Sequence, residues 1–173
     1  MNNIVRENRK RTIVVLFTCY RDLFSSLLYH ITNQGYTHAS VSLEEGSDFY
    51  YGFNVRGFCR EYPDHYKRRM RDKSAALHLE VSEEDYQRIR NRIMEMEANP
   101  EVYHYTRLGI FFCLLHIAWR KEGRYFCSQF VSELLMMAGE IPLKKQPSLY
   151  LPNQLERELS GLPCVKRIEL QAV

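Results

Sequence analysis

The chain has 173 residues, a length that suits a single domain with a core large enough to need no disulfide or metal staple. Its 24 Lys and Arg residues against 21 Asp and Glu residues leave a net charge of +3, an excess too small to favour nucleic acid as a partner. The five cysteines are scattered, with no CxxC pair and no metal-ligand spacing. We therefore expect a reduced, cytoplasmic protein with one domain over residues 1–173, no metal and no other cofactor.

No apolar run in the sequence is long enough for a membrane span. The longest, from Leu108 to Trp119, covers about 12 residues against the roughly 20 that a span requires, and we predict a buried helix there. The run from Ile13 to Phe17 is too short for the apolar region of a signal peptide and is assigned to a strand. The sequence thus predicts no membrane span.

The first predicted element is a buried strand. After a basic leader over residues 1–11, the segment from Thr12 to Cys19 (TIVVLFTC) is rich in β-branched and apolar residues that do not alternate with polar ones. This pattern is typical of a strand covered on both faces near the middle of a sheet. Asp22 can then cap a helix that runs from Leu23 to Ile31, with Asn33 as a stop signal.

A hairpin of two strands follows. From Tyr36 to Leu43 (YTHASVSL) apolar and polar residues alternate, which puts Val41 on one face and His38 on the other. Residues 44–48 supply the turn, and Phe49 to Val55 (FYYGFNV) returns as the partner strand. The His38 ring would therefore project from a rigid strand, on the side not committed to the core.

Residues 56–74 (RGFCREYPDHYKRRMRDKS) have no sustained period and are rich in charged and aromatic side chains. We predict a long loop or lid here, and long loops in compact domains are often functional. The basic cluster from Lys67 to Arg71 is interpreted as a solvated surface, with a site for an anionic ligand as the alternative.

The second half of the chain contains both helices and strands. Ser82 is predicted to cap a helix, because three acidic residues follow it and apolar residues recur at helical spacing up to Met96. The other predicted elements are a strand over Ala75 to Val81, a short helix from Pro152 to Gly161 and a closing strand over Val165 to Val173. The sequence shows no internal repeat and no low-complexity linker.

One cysteine lies where a loop gives way to an apolar helix. In GRYFCSQFVSELLMMAG, residues 123–139, Cys127 precedes apolar residues at helical spacing, and Gly139 stands where a left-handed cap would end the helix. The unpaired N–H groups and the dipole of a helix N-terminus favour a thiolate, the reactive form of cysteine. The segment alone leaves two roles open, a reactive thiol and a small buried hydrophobe.

A cysteine nucleophile needs a base, and the sequence offers six histidines. His30 and His116 lie within apolar helical patterns, where a core or boundary role is usual. His38 differs because it belongs to the polar face of a hairpin strand. Its position alone leaves both a structural and a catalytic role open.

Taken together, YTHASVSL and, far downstream, RYFCSQFVSELL resemble the circularly permuted papain-fold cysteine hydrolases, the NlpC-like group of the YiiX type. In that group the histidine strand precedes the nucleophile helix, which reverses the order found in ordinary papain-like enzymes. The resemblance extends over residues 12–155 and includes the tail PSLYLPNQL. It implies an α+β, papain-like fold in which a central antiparallel sheet carrying His38 packs against the helix that presents Cys127.

The same resemblance implies a mechanism. The Cys127 thiolate would attack a carbonyl, and His38 would hold the proton and return it to the leaving amine or alcohol. The backbone N–H groups at the helix start would bind the oxyanion. Ser128 is expected to form a hydrogen bond at the helix start and not to act as a second nucleophile.

The third catalytic position departs from the family pattern. The family carries a polar residue, commonly His or Glu, on the strand after the histidine strand, and FYYGFNV offers neither. In-phase pairing of the hairpin places Asn54 on the His38 face, and we predict that Asn54 orients the imidazole. The alternatives are Tyr50 on the same face, Tyr51 brought round by a bulge, and Glu61 from the following loop.

We therefore expect a cysteine peptidase or amidase that cleaves an amide or peptide-like bond in a small-molecule, peptide-like or lipid substrate. One alternative is a lipid acyltransferase or esterase on the same fold, with aromatic residues such as Phe53 and Phe58 lining an apolar cleft. Another is a non-catalytic binding module that uses the basic cluster over residues 67–71 on an anionic partner.

Overall fold

The computed structural model describes residues 9–20, 23–31, 35–66 and 70–171. In chain order its elements are β1 (Lys10–Tyr20), α1 (Leu23–Ile31), β2 (His38–Ser42), β3 (Tyr50–Asn54), β4 (Gly57–Glu61), α2 (Pro63–Tyr66), β5 (Met70–Ser82), α3 (Glu83–Ala98), β6 (His104–Tyr105), α4 (Arg107–Leu114), β7 (Arg124–Tyr125), α5 (Cys127–Leu135), α6 (Pro152–Leu159) and β8 (Val165–Gln171). Single turns of 3-10 helix occupy Pro100–Val102 and Pro147–Leu149.

A six-stranded antiparallel sheet in the order β4-β3-β2-β1-β5-β8 forms the centre of this mixed α and β structure. Val15 of β1 pairs with Val41 on one side and Leu77 on the other. Residues 13–19 are all buried, which confirms the predicted interior strand. β6 and β7 form a separate two-stranded parallel sheet.

One face of the sheet packs against α3 and α5. Val41 of β2 and Phe53 of β3 belong to a core that also contains Ile89 of α3 and both Phe130 and Leu134 of α5. These positions alternate along the strands and recur at helical spacing along α5, as the buried faces of such elements do. The packing holds α5, and with it Cys127, against the sheet.

The opposite face of β2 carries His38, Ser40 and Ser42, which are also buried. The predicted phase of the hairpin is confirmed, because Val41 pairs with Tyr51. These three polar side chains are each less than one-tenth exposed. His38 therefore lies in a surrounding that is poor in water.

The prediction of a long loop over residues 56–74 is wrong at both ends, because β4 occupies its first part and β5 begins at Met70. β4 pairs with β3 from Asn54 opposite Gly57 to Tyr50 opposite Glu61, so only a tight turn separates the two strands. Gly57 has a φ of 97°, which glycine adopts readily, and the backbone approaches the Tyr103 carbonyl too closely there for a side chain. The turn depends on these long-range contacts, which the sequence pattern does not show.

Several predicted features lie outside the described residues. These are the leader up to residue 8, the helix cap Asp22, the stop signal Asn33, and residues 67–69 of the basic cluster. Lys10 and Arg11 of the predicted leader already belong to β1. The predicted strands over residues 75–81 and 165–173 and the helix at Pro152 are present as β5, β8 (to residue 171) and α6.

The predicted buried helix over residues 108–119 is shorter and more exposed than expected. α4 ends at Leu114, because His116 adopts a left-handed conformation with a φ of 58° that stops the helix. Ile110 is buried, whereas Phe111 points to solvent. None of the helices within the described ranges is long and apolar enough to cross a membrane.

The predicted cap of α3 is confirmed, and that of α5 is wrong. The Ser82 hydroxyl accepts a hydrogen bond from the Asp85 N–H at 3.1 Å. α5 ends at Leu135, and Gly139 is not left-handed. The chain turns earlier through short-range backbone bonds, among them the Ala138 N–H to the Leu135 carbonyl at 3.0 Å, which keep Ala138 in the core.

Candidate active site

Cys127 is the first residue of α5, where the sequence predicted it. Phe126 before it is extended, and among the described residues no side chain caps this helix start. The first intrahelical bond runs from the Phe130 N–H to the Phe126 carbonyl at 3.1 Å, so helix geometry leaves the N–H groups of Cys127 and Ser128 without an intrahelical acceptor. Two donors thus lie beside the thiol.

The helix start is anchored by the segment PSLYLPNQL. The Ser128 hydroxyl donates to the Tyr150 carbonyl at 2.7 Å, which agrees with its predicted role as a hydrogen-bonding residue. The Tyr150 side chain is fully buried, and its hydroxyl donates to Glu158 at 3.0 Å and accepts from the Lys145 N–H at 2.9 Å. This network fixes the position of Cys127 through its neighbour.

His38, the first residue of β2, lies between Cys127 and Glu61. Its Nε2 is 2.7 Å from Glu61 Oε2, and both side chains are less than one-tenth exposed. The Cys127 side chain lies close enough to the ring to be among the causes that raise the His38 pKa. Because Glu61 engages Nε2, Nδ1 is the ring nitrogen left for the thiol. The structure thus brings the thiol, the imidazole and the carboxylate together in one buried cluster.

The charge state of His38 follows from these contacts. Burial lowers its pKa, but the Glu61 carboxylate, followed by the Cys127 side chain, raises it by more. The net result is a pKa well above the ordinary value of 6.5. The contacts therefore favour the protonated ring, with Nε2–H donating to Glu61.

Asn54, which we predicted to orient the imidazole, lies one step further back. Its Nδ2 donates to Glu61 Oε1 at 3.1 Å and to Cys59 Sγ at 3.0 Å. Its Oδ1 accepts from the Arg56 N–H at 3.0 Å, which fixes the amide orientation. Asn54 therefore positions Glu61. Glu61, predicted from the sequence only as an alternative, is the residue bonded to His38.

The two tyrosine alternatives lie elsewhere. Tyr50 packs beside Val14 and Leu16 on the His38 face of the sheet. Tyr51 lies on the opposite face and stacks on Phe58 with ring centroids 6.1 Å apart. No bulge brings Tyr51 round, because β3 and β4 pair in continuous register.

Glu61 reaches His38 because β4 continues the sheet in phase. Tyr50 pairs with Glu61 and Gly52 with Cys59, so the side chains of Cys59 and Glu61 share the His38 face. The available sequence signal was the alternation within GFCRE after a possible tight turn. This alternation is weak evidence for a strand, because it rests on a single buried aromatic residue, Phe58.

Gly52 gives the Glu61 carboxylate its space. A Cβ at this position would lie 2.8 Å from Oε2 and 3.0 Å from Cδ of Glu61. We expect Gly52→Ala to displace the carboxylate and to slow alkylation of Cys127 about ten-fold or more at neutral pH, while the chain stays folded. Gly139→Ala is the matched control, because no atom lies within 4 Å of a Cβ there. Equal rates in the two variants would contradict the role of Gly52.

Two residues of β1 flank His38 and were not predicted. Thr18 pairs with His38 across the strands, and the Tyr20 ring meets the imidazole edge-on with centroids 5.1 Å apart. Thr18 Oγ1 is buried and has no hydrogen-bond partner among the described residues. In the sequence, Thr18 and Tyr20 are two positions apart along β1, which places them on one face of the sheet. That pattern does not show that His38 lies next to them.

Three of the other cysteines have a raised pKa. Burial, followed by the Glu61 charge, raises the pKa of Cys59 to about 11. Burial likewise raises the pKa of Cys113 to about 12 and that of Cys164 above its ordinary value. These thiols stay protonated at neutral pH. No cluster of three or more potential metal ligands occurs within the described residues.

The aromatic residues considered for an acyl-binding cleft are part of the core. Phe53 and Phe58 contact Phe130 of α5 with ring centroids 5.1 and 5.7 Å apart. Both side chains are buried, so they line no open cleft.

No family model matches the chain, and a search of curated proteins finds no match either.

Proposed function

We propose that the protein is a cysteine hydrolase that cleaves an amide or peptide-like bond, with Cys127 as nucleophile, His38 as acid and base, and Glu61 as the residue that positions His38. The observation that carries the proposal is the buried His38 ring, which contacts the Glu61 carboxylate at 2.7 Å and whose pKa is raised by both Glu61 and Cys127. A buried acid–base pair next to a helix-start cysteine matches the requirements of nucleophilic catalysis.

A circularly permuted papain-like fold is the finer architecture that we propose. A strand carrying the histidine precedes the helix that begins at the cysteine, and that helix packs on the histidine strand through the shared core. The order of the elements and their contacts support the proposal.

The first half of the proposed reaction forms a thioester. The Cys127 sulfur attacks the carbonyl carbon, and the carbonyl electron pair moves to oxygen, where the N–H groups at the start of α5 stabilise the negative charge. When the tetrahedral species collapses, the carbon–nitrogen bond breaks and the leaving amine takes the proton from His38.

The second half restores the enzyme. Neutral His38 accepts a proton from water, and the resulting hydroxide attacks the thioester carbon. The carbon–sulfur bond breaks, the carboxylic product leaves, and the thiolate–imidazolium pair returns. Glu61 holds the ring orientation throughout through Nε2.

Alkylation by iodoacetamide at about pH 7 tests the proposal, since thiolates react and thiols do not. Cys127 is expected to react at least about ten-fold faster than Cys59 or Cys164, although these two are more exposed. His38→Ala is expected to remove the difference, because it removes the cation beside the sulfur. Peptide mass spectrometry after short exposures measures each site.

His78→Ala is the matched control for His38→Ala. The His78 ring is also buried and lies 2.7 Å from a carboxylate, that of Glu45. None of the contacts described above links His78 to Cys127. Fast labelling of Cys127 should survive this change. Equal labelling of all cysteines in the folded wild-type protein would refute the proposed function.

A further inference from the structure

The surface of α4 and the turn after it is unusually apolar. Leu108, Phe111, Leu115 and Ile117 are each between 49% and 55% exposed. Single exposed apolar residues are common, but four such side chains within ten positions form a continuous apolar surface, here called the α4 patch.

The α4 patch is a well-ordered structure and not a frayed helix end. The Ile117 N–H bonds to the Phe112 carbonyl at 2.9 Å, and the His116 N–H bonds to the Cys113 carbonyl at 3.0 Å. Together with the left-handed His116, these bonds form a Schellman motif. The Phe112 ring stacks on Trp119 with centroids 5.7 Å apart, which holds the turn against the helix. The apolar side chains are thus presented on a fixed scaffold.

The charge around the α4 patch is mostly positive. Residues 103–121 contain Arg107, Arg120 and Lys121 but no Asp or Glu, while Glu122 follows directly and Arg120 lies 3.6 Å from the Glu133 carboxylate. Lys145 adds a fourth cation nearby: burial raises the pKa of Cys113 in α4, and the Lys145 charge opposes that rise. The partner of this surface should therefore combine an apolar interior with negative charge.

We propose that the α4 patch docks the protein onto an anionic lipid bilayer. Apolar side chains enter the region between headgroups and acyl chains, basic side chains meet lipid phosphates, and Trp119 lies at the boundary, where tryptophan is enriched. A second copy of the chain fits less well, because a two-fold contact would bring the basic rim against itself.

Docking through the α4 patch would hold the candidate active site near the bilayer. Phe126, which precedes Cys127, packs with Ile110 and Cys113 of α4 in one small core. The helix that bears the patch and the start of α5 therefore move as one unit. The docking proposal itself does not depend on catalysis by Cys127.

Vesicle binding of the full chain tests the docking proposal. The probes are vesicles of phosphatidylcholine alone and vesicles with about 30% phosphatidylglycerol. The protein should sediment with the anionic vesicles, release at about 0.5 M salt, and stay free of the neutral ones. Trp119 is the single tryptophan, so its emission should shift to the blue on binding. Absence of binding to anionic vesicles, or equal binding to both kinds, would overturn the proposal.

Variants distinguish binding through the α4 patch from non-specific adsorption to vesicles. Phe111→Ser with Leu115→Ser should lower the vesicle partition coefficient about ten-fold or more, since both side chains already face water in the free protein. Val55→Ser, at a site that is 72% exposed in the β3–β4 turn, is the matched control and should bind as wild type. Circular dichroism verifies folding.

Two results would assign the surface differently. Undiminished binding of the double variant would place the lipid contact elsewhere. A dimer by light scattering that the double variant dissociates, together with no vesicle binding, would make the α4 patch an interface between two copies. Either result rejects the docking proposal.

Discussion

Replacing Glu61 by glutamine is expected to slow the proposed hydrolysis about 10²- to 10⁴-fold, the usual range for loss of effective acid–base catalysis. Glutamine keeps the size of the side chain but removes the negative charge 2.7 Å from His38 Nε2. Burial lowers the His38 pKa, and without the Glu61 charge less remains to raise it, so the pKa of His38 falls. The protonated ring is then less favoured, and the proposed thiolate–imidazolium pair is weakened.

The raised pKa of His38 determines how stability and Cys127 reactivity should change with pH. The His38 pKa is raised in the folded protein, so its protonation stabilises the fold fully below the ordinary value of 6.5, and this contribution is lost as pH rises through the raised pKa. Cys127 alkylation in the wild type should therefore depend on an imidazolium that persists above pH 6.5. In Glu61→Gln the imidazolium should be lost at a lower pH.

The measurement is a pH profile of Cys127 alkylation, together with denaturation curves at several pH values. Glu45→Gln is the control, because Glu45 forms the comparable 2.7 Å contact with His78. An unchanged profile in Glu61→Gln would show that Glu61 does not set the charge of His38.

Truncating Phe53 to alanine is expected to destabilise the fold by about 3–5 kcal/mol, a large share of the roughly 5–15 kcal/mol available to a domain. The side chain is 0% exposed, and its ring centroid lies 5.0 Å from Tyr125 and 5.1 Å from Phe130. The variant loses buried apolar surface and leaves a cavity between β3 and α5.

Urea denaturation followed by far-ultraviolet circular dichroism measures the loss from Phe53→Ala. Val55→Ala, two residues further along the same hairpin and exposed to solvent, should stay within about 0.5 kcal/mol of the wild type. A Phe53→Ala protein as stable as this control would contradict the packing of α5 on β3.

The strands and helices with strong local patterns were predictable. The apolar run of β1, the phase of β2 and β3, and the capped start of α3 each depend on neighbouring residues. β4 was missed because its sequence shows little alternation of apolar and polar residues. Its start also depends on a left-handed Gly57 that packs against Tyr103, which is far away in the sequence. The end of α4 was missed because the apolar residues continue past the left-handed His116.

The candidate site was predictable only in part. The helix-start position of Cys127 follows from local pattern, and resemblance to a family paired it with His38. The choice between Asn54 and Glu61 depended on whether the chain turned once more after β3. Since that turn is made by contacts outside its own segment, the sequence left Glu61 as one alternative among three.

The sheet order has a consequence for how the proposed activity would be lost. Glu61 lies on β4, one of the two edge strands, whereas His38 lies on an interior strand. Edge strands exchange and detach at a lower free energy than the centre of a sheet, so sub-global opening can release β4 while β1, β2 and α5 stay assembled. A population of molecules would then keep the fold and the thiol but lack the carboxylate. Inactivation by heat or denaturant would precede global unfolding, and it would reverse as soon as the edge strand returned.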